Sequence, residues 1–304
     1  IMLHHFHGGK HPSIQGSLSA LDFEVMIEAL LSKGLIPASG WKYKYKAGIL
    51  KPNEFCLTFD DNLKSQIDIA VPVLSRYGLD AFWFVYTSPF QGVLEKLELY
   101  RFFRNVCYLH IDNFYTEFFR VLELSPFATE VYEKSRTVDF NSYLPELTFY
   151  SVNDKKFRYL RDKILGQDRY YSVMDEMMRI SDFDKDKWKD RIWLNKMDIR
   201  YLVSIGHEIG LHSHTHPTQI SSLSRKAQMD EYRINRDILT ELTSQKLSIM
   251  AHPNGDYNED TFTVLSQLDI EMGFCATPND RYGTQFELPR IDQTLLHLTK
   301  SNQL

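Results

Sequence analysis

Two carboxylates stand side by side in Thr58-Phe59-Asp60-Asp61-Asn62, and two imidazoles stand four apart in His212-Ser213-His214-Thr215-His216. Adjacent Asp side chains suit acid–base work or capture of a cation. Two His at that spacing can turn both rings to one side of a helical turn, the arrangement of many zinc sites. Each signal is weak alone. An Asp or Asn ahead of a helix also caps its first free N–H groups. With 11 His in 304 residues, chance alone supplies about 0.4 such pairs, and His7 and His11 show the same spacing. A surface histidine cluster is the bland alternative for the later pair.

Context strengthens both. Phe55-Cys56-Leu57 reads as a short buried strand before the carboxylates, and Ile67, Ala70, Val71 and Leu74 follow at helical spacing. The strand 207–211 leads straight into the His run, which Pro217 ends. Both groups therefore fall at C-terminal strand ends, the rim where α/β proteins carry chemistry. A first strand is expected at 2–6, and three of the first seven residues are His, so His5 or His7 can reach the same rim. A capped helix follows Ser19, and 40–52 reads as a polar, aromatic loop with at most a hairpin. Ala81-Phe82-Trp83-Phe84-Val85-Tyr86 is the clearest buried strand. Further strands are expected at 247–251, 272–276 and 287–291, each after a helical stretch. This β/α alternation predicts a parallel sheet with right-handed crossovers.

The rhythm breaks between 91 and 195. Phe114, Phe118, Val121 and Leu122 suggest one helix; Phe157, Leu160 and Ile164 a second, ended by Gly166; Tyr171, Met174, Met177 and Met178 a third. A βαβ crossover needs about 30 residues, so 91–195 is expected to be a mostly helical insertion packed on the barrel, either a lid or specificity wall over the site, or a stabilising decoration or oligomer contact. Residues 1–90 and 196–304 form the two parts of the β/α unit.

A hydrophobic share of 43% and a charged share of 25% place the chain with ordinary globular proteins. The net charge of −5 and the lack of a basic run give no sign of a nucleic-acid partner. Cys56, Cys107 and Cys275 are sparse and odd in number, which fits a reducing compartment and no disulfide framework. No apolar stretch long enough to span a membrane is present, and the first residues lack the pattern of a signal peptide. A cytoplasmic location is expected; the oligomeric state is not fixed by the sequence.

Leu57-Thr58-Phe59-Asp60-Asp61, the run His212 to His216 with Pro217, the Pro253-Asn254-Gly255 loop and Leu288-Pro289-Arg290-Ile291 together resemble the successive motifs of the polysaccharide deacetylases. The resemblance covers about 60–85 and 205–295. It implies a distorted seven-stranded (β/α) barrel and a divalent metal ion, zinc by preference, held by Asp61, His212 and His216. It implies that Asp60 is the general base and that His214 points away. Backbone N–H groups around Pro253, Asn254 and Gly255 would face the developing oxyanion. Ala251 stands where the family carries an Arg that orients the base, and Arg290 can take that duty. Leu295-Leu296-His297 is similar to the family's general-acid run; His5, His7 or His252 could serve instead. The implied activity is removal of an N-acetyl group from an amino sugar, here an intracellular precursor of a surface polysaccharide. The alternatives are a weak or inactive carbohydrate-binding relative, or an amidase or deformylase on another amide.

Overall fold

The computed structural model describes residues 1–145, 150–276 and 283–296. The described chain divides into two compact units, 1–95 with 188–304, and 96–187.

The first unit is built on six parallel strands in sequential order: β1 Met2–Leu3, β2 Thr58–Phe59, β3 Phe82–Val85, β4 Glu208–Leu211, β5 Ile249–Ala251 and β6 Met272–Phe274. Seven strands were expected. The seventh stretch forms no strand but bridges at both ends: Leu288 pairs with Phe274 of β6, and Asp292 pairs with Met2 of β1. Pro289, which has no N–H to give a ladder, sits between the two bridges. Cys275 N donates to Leu288 O at 2.8 Å and Met2 N to Ile291 O at 2.8 Å, so the backbone runs from the last strand to the first.

Alternation along β3 explains why its run is apolar throughout. Trp83 and Val85 join a large core with residues of the flanking helices, while Phe82 and Phe84 join a smaller cluster with Cys56, Ile249, Ala251, Met272 and Phe274. Successive side chains point to opposite faces, and both faces are covered. The same alternation separates Leu57 and Phe59, in the large core, from Thr58 and Asp60. Gly210 pairs with Phe84, and a Cβ there would stand 2.6 Å from the Phe84 ring, so the inner aromatic cluster requires the glycine.

The helices of this unit are α1 Ala20–Leu31, α2 Ala38–Lys46 and α3 Val71–Arg76 in the first part. Ser19 closes a capping box with Asp22. The expected loop over 40–52 is largely the helix α2. Its composition is polar, but Trp41 stacks on Tyr45 at 5.2 Å and buries itself in the inner cluster; that burial, not periodicity, fixes the helix.

The second unit carries α4 Lys96–Cys107, α5 Ile111–Glu123, α6 Ala128–Ser135, α7 Val152–Tyr159 and α8 Gly166–Ile180, with α9 Lys185–Ile192 running out of it. Three helices were expected here. The additional ones are α4, α6 and α9; α6 and α9 are short and rich in charge, while α4 buries Leu99, Tyr100, Phe102 and Phe103. Phe114, Phe118 and Phe157 form its aromatic centre, with Phe118 and Phe157 rings 4.9 Å apart. The first unit resumes with α10 Lys196–Ser204, α11 Arg225–Thr243 and α12 Glu259–Gln267. No helix among the described residues is long and apolar enough to cross a membrane.

His207, just before β4, accepts the Ala81 N–H on Nδ1 at 3.1 Å. Burial pushes its imidazole down from 6.5 to about 4. The unfolded chain binds this proton more readily, so the stability it supports is complete above pH 6.5 and drains as pH falls towards 4. A gap of that width is worth roughly 3 kcal/mol at its lower end. The stability gap between wild type and His207→Gln, measured by urea unfolding, should shrink as pH drops through that window; a constant gap would contradict the assignment.

Candidate metal and acid–base centre

The turn after β2 and the loop after β4 carry the two sequence motifs to one mouth of the sheet. Asp61 Oδ1 lies 3.5 Å from His212 Nε2 and 3.3 Å from His216 Nε2. One ligand atom from each of Asp61, His212 and His216 falls within 4.8 Å of the others, so the three can close around one ion. His212 Nδ1 faces the Ala251 carbonyl at 2.9 Å. A carbonyl only accepts, so Nδ1 carries the proton and Nε2 is left as a ligand atom. Two nitrogens and one carboxylate oxygen suit a divalent ion of the zinc type. Burial pushes His216 down to about 4, so its ring is neutral at pH 7, the form a ligand needs. Burial alone would raise the Asp61 carboxyl, but the neighbouring His216 and His212 hold it well below its ordinary value. Burial opposes a proton on His212, yet the Asp60 and Asp61 carboxylates outweigh it and raise this imidazole. A cation arriving there competes with a proton, so capture weakens as pH falls.

Asp60 has different company. Its oxygens receive Arg290 Nη1 at 2.6 Å and Nη2 at 2.8 Å, a bidentate pair in which both side chains are buried. Arg290 also donates to Thr58 Oγ1 at 3.1 Å and to Cys275 O at 2.9 Å, and its guanidinium lies over the Phe84 ring. Burial would raise the Asp60 carboxyl; Arg290, then His212, overrides it and holds it below its ordinary value. His212 Nε2 is 3.9 Å from Asp60 Oδ2.

Among the N-terminal histidines, His4 is the one whose ring stands at the site. Its Nε2 lies 3.9 Å from Asp60 Oδ2 and its Nδ1 3.9 Å from Asp292 Oδ2. The expected candidates lie differently. His5 stacks on His4 at 6.1 Å, and His7 Nδ1 faces Ser17 Oγ at 2.8 Å. His252 is buried, turns Nε2 to Phe286 O at 2.8 Å and stacks on Tyr257. His297 lies outside the described residues. His214 turns Nδ1 to Thr87 Oγ1 at 2.9 Å and is not part of the triad. In the Pro253-Asn254-Gly255 loop, Pro253 has no N–H and the Gly255 N–H is taken by His252 O at 3.1 Å. Of the three expected oxyanion donors, Asn254 is the one left with an N–H for a ligand.

Sequence reading passed over Gln66, which is fully buried. Its amide donates to Asp60 O at 2.5 Å and to His4 O at 2.9 Å, and it accepts the Leu63 N–H at 3.2 Å. It clamps a turn whose backbone is costly: Asp61 and Asn62 have φ of 72° and 43°. Ser213, His216 and Asn254 are also left-handed. Such conformations gather where a site over-determines its backbone.

Residues 181–273 match the sequence model of the polysaccharide deacetylase family. Over that stretch the chain is similar to the polysaccharide deacetylases. Solved structures agree on the fold. The Streptococcus pyogenes deacetylase PplD, in complex with acetate, superposes with a TM-score of 0.56 at 14% identity, over 96% of this chain and 89% of its own. IcaB from Ammonifex degensii gives 0.53 at 14%, over 95% and 88%. The BpsB deacetylase domain from Bordetella bronchiseptica gives 0.52 at 14%, over 95% and 93%. Among curated proteins none matches. The family match includes His212 and His216; Asp60, Asp61 and Arg290 lie outside it.

Arg290→Met strands a buried carboxylate. It should cost about 3–5 kcal/mol of stability by urea unfolding. Arg290→Met with Asp60→Asn should recover part of that loss, because no charge is left unpaired. A single Arg290→Met variant within about 1 kcal/mol of wild type would show that the pair carries little.

Proposed function

We propose that this chain is a metal-dependent hydrolase that removes the N-acetyl group from an amino sugar. One observation carries the reading: two adjacent aspartates are divided between partners, Asp61 to two imidazoles and Asp60 to a guanidinium. A site that only bound a cation would have no use for the second, separately held carboxylate. The family match and the deacetylases of like fold supply the reaction class.

Asp61, His212 and His216 would hold the cation, with zinc the best fit to the donor set. When bound, such a cation supplies Lewis acidity, polarising the amide carbonyl and making water acid enough for a carboxylate as weak as Asp60 to take its proton. Arg290 keeps Asp60 ionised and fixes its orientation. The water oxygen adds to the carbonyl carbon, and Asp60 accepts its proton. His4 donates a proton to the amine nitrogen as the C–N bond breaks, leaving acetate and a free amine. Asp292 beside Nδ1 orients the His4 ring, and Asp292 is itself fixed by the Thr294 N–H at 2.8 Å. The side chains of His4 and Asp292 are 26% and 28% exposed, so the acid is open to the mouth while the base is sealed. Read as a seventh strand, the 288–292 segment completes the distorted barrel and brings Arg290 and Asp292 to the site together.

The substrate is an N-acetylated amino sugar of a surface polysaccharide or its precursor. Acetate release should be measured on N-acetylated oligosaccharides and on nucleotide- and lipid-linked N-acetyl sugars, with N-formyl analogues, with added zinc and with chelator. At least one acetylated sugar should give cation-dependent acetate. No release from any of them by metal-loaded protein would favour the binding-protein reading, and release from the formyl analogues alone a deformylase. His4→Ala should keep its metal while turnover falls by roughly 100-fold, the usual worth of a positioned acid. Unchanged turnover would move the acid elsewhere.

A further inference from the structure

Two routes lead from Trp193 to the ligand side chains. It follows directly on α9 and is buried, 3% exposed. Its indole N–H donates to the Tyr86 hydroxyl. Tyr86, 1% exposed, lies just beyond the C-terminal end of β3, and its ring faces the His216 ring at 5.0 Å and 33°. The second route is backbone. Trp193 forms an antiparallel bridge with Leu63, and Leu194 N donates to Asn62 O at 2.8 Å. In the orientation that satisfies its neighbours, the Asn62 amide donates to Asp61 O at 2.9 Å and to Tyr86 O at 3.3 Å. Tyr86 is thus a node: its hydroxyl meets the indole, its ring meets one ligand, and its carbonyl meets the turn that carries another.

We propose that Trp193 is a positioning residue for the cation site, setting His216 through the Tyr86 ring and Asp61 through the 61–63 turn. The proposal rests on reading Asp61, His212 and His216 as cation ligands. The physical need is plain. Both ligand backbones are left-handed, with φ of 72° at Asp61 and 57° at His216, so neither loop holds its ligand by local preference. His212, by contrast, is aimed by its own bond to Ala251 O. Ligand atoms must sit within a few tenths of an ångström of their places to bind a small cation. Groups behind the ligands therefore decide affinity, and losing one typically costs 10–100-fold.

The test is zinc affinity, measured by chelator competition, in wild type, Tyr86→Phe, Trp193→Phe and the double variant. Tyr86→Phe keeps the ring against His216 and removes one oxygen. Trp193→Phe removes the indole N–H and leaves the backbone route intact. Each single change should weaken zinc binding about 10-fold. The double change should weaken it no further than the worse single one, because both break the same bond. The cobalt-substituted protein should show an altered visible spectrum in the same variants, a change that lost stability alone does not produce. Tyr232→Phe removes another buried hydroxyl, one without a hydrogen-bond partner among the described residues, and should leave zinc affinity unchanged. If Trp193→Phe fails to fold, Tyr86→Phe carries the test alone. Wild-type zinc affinity in folded Tyr86→Phe overturns the proposal. A wild-type protein that binds no zinc overturns the cation-site reading and this proposal together.

Discussion

The buried pair of Asp60 and Arg290 is the constraint on which the rest of the structure depends. A lone carboxylate at that depth would take up a proton, and a lone guanidinium would be prohibitive. Each is tolerated because the other is there, and because Thr58 and the Cys275 carbonyl take two further guanidinium protons. Arg290 belongs to the stretch that bridges β6 to β1. The pair therefore ties the closing end of the chain to the turn after β2. The fold cannot place Arg290 without also fixing how Asp60 points.

That fixing has a chemical result. With Arg290 occupying both oxygens of Asp60, the neighbouring Asp61 is the carboxylate left for the imidazoles. Two identical side chains, adjacent in sequence, are given different environments by partners that lie 150 and more residues away. The backbone conformations that allow this are costly, and Gln66, Asn62 and Leu194 supply the hydrogen bonds that hold them. The loop of His216 is held in the same way, by Ser213 Oγ to its N–H and by Glu231 to the N–H groups of His214 and Thr215.

Much of this was legible in the sequence, for identifiable reasons. The carboxylate doublet and the His pair are dense in chemistry and sit beside strands that are unmistakably apolar. Other features were hidden by how the signal is carried. Helix α2 is polar by composition and exists because Trp41 is buried. His4 was overlooked in favour of His5 and His7, since a strand of two residues leaves its facing undetermined. The last bridge, 288–292, is interrupted by Pro289 and is too irregular to count as a strand. Gln66 and Trp193 act entirely through tertiary contacts, and no spacing rule points to them.

The division of labour between Asp60 and Asp61 is tested most directly by making the same change at each. Metal content per chain and turnover should be measured side by side for Asp60→Asn and Asp61→Asn. The account predicts that Asp60→Asn keeps about one divalent ion per chain while its turnover falls roughly 100-fold or more. It predicts that Asp61→Asn loses the ion. Near-normal turnover in folded, metal-loaded Asp60→Asn, or full metal content in Asp61→Asn, would contradict it.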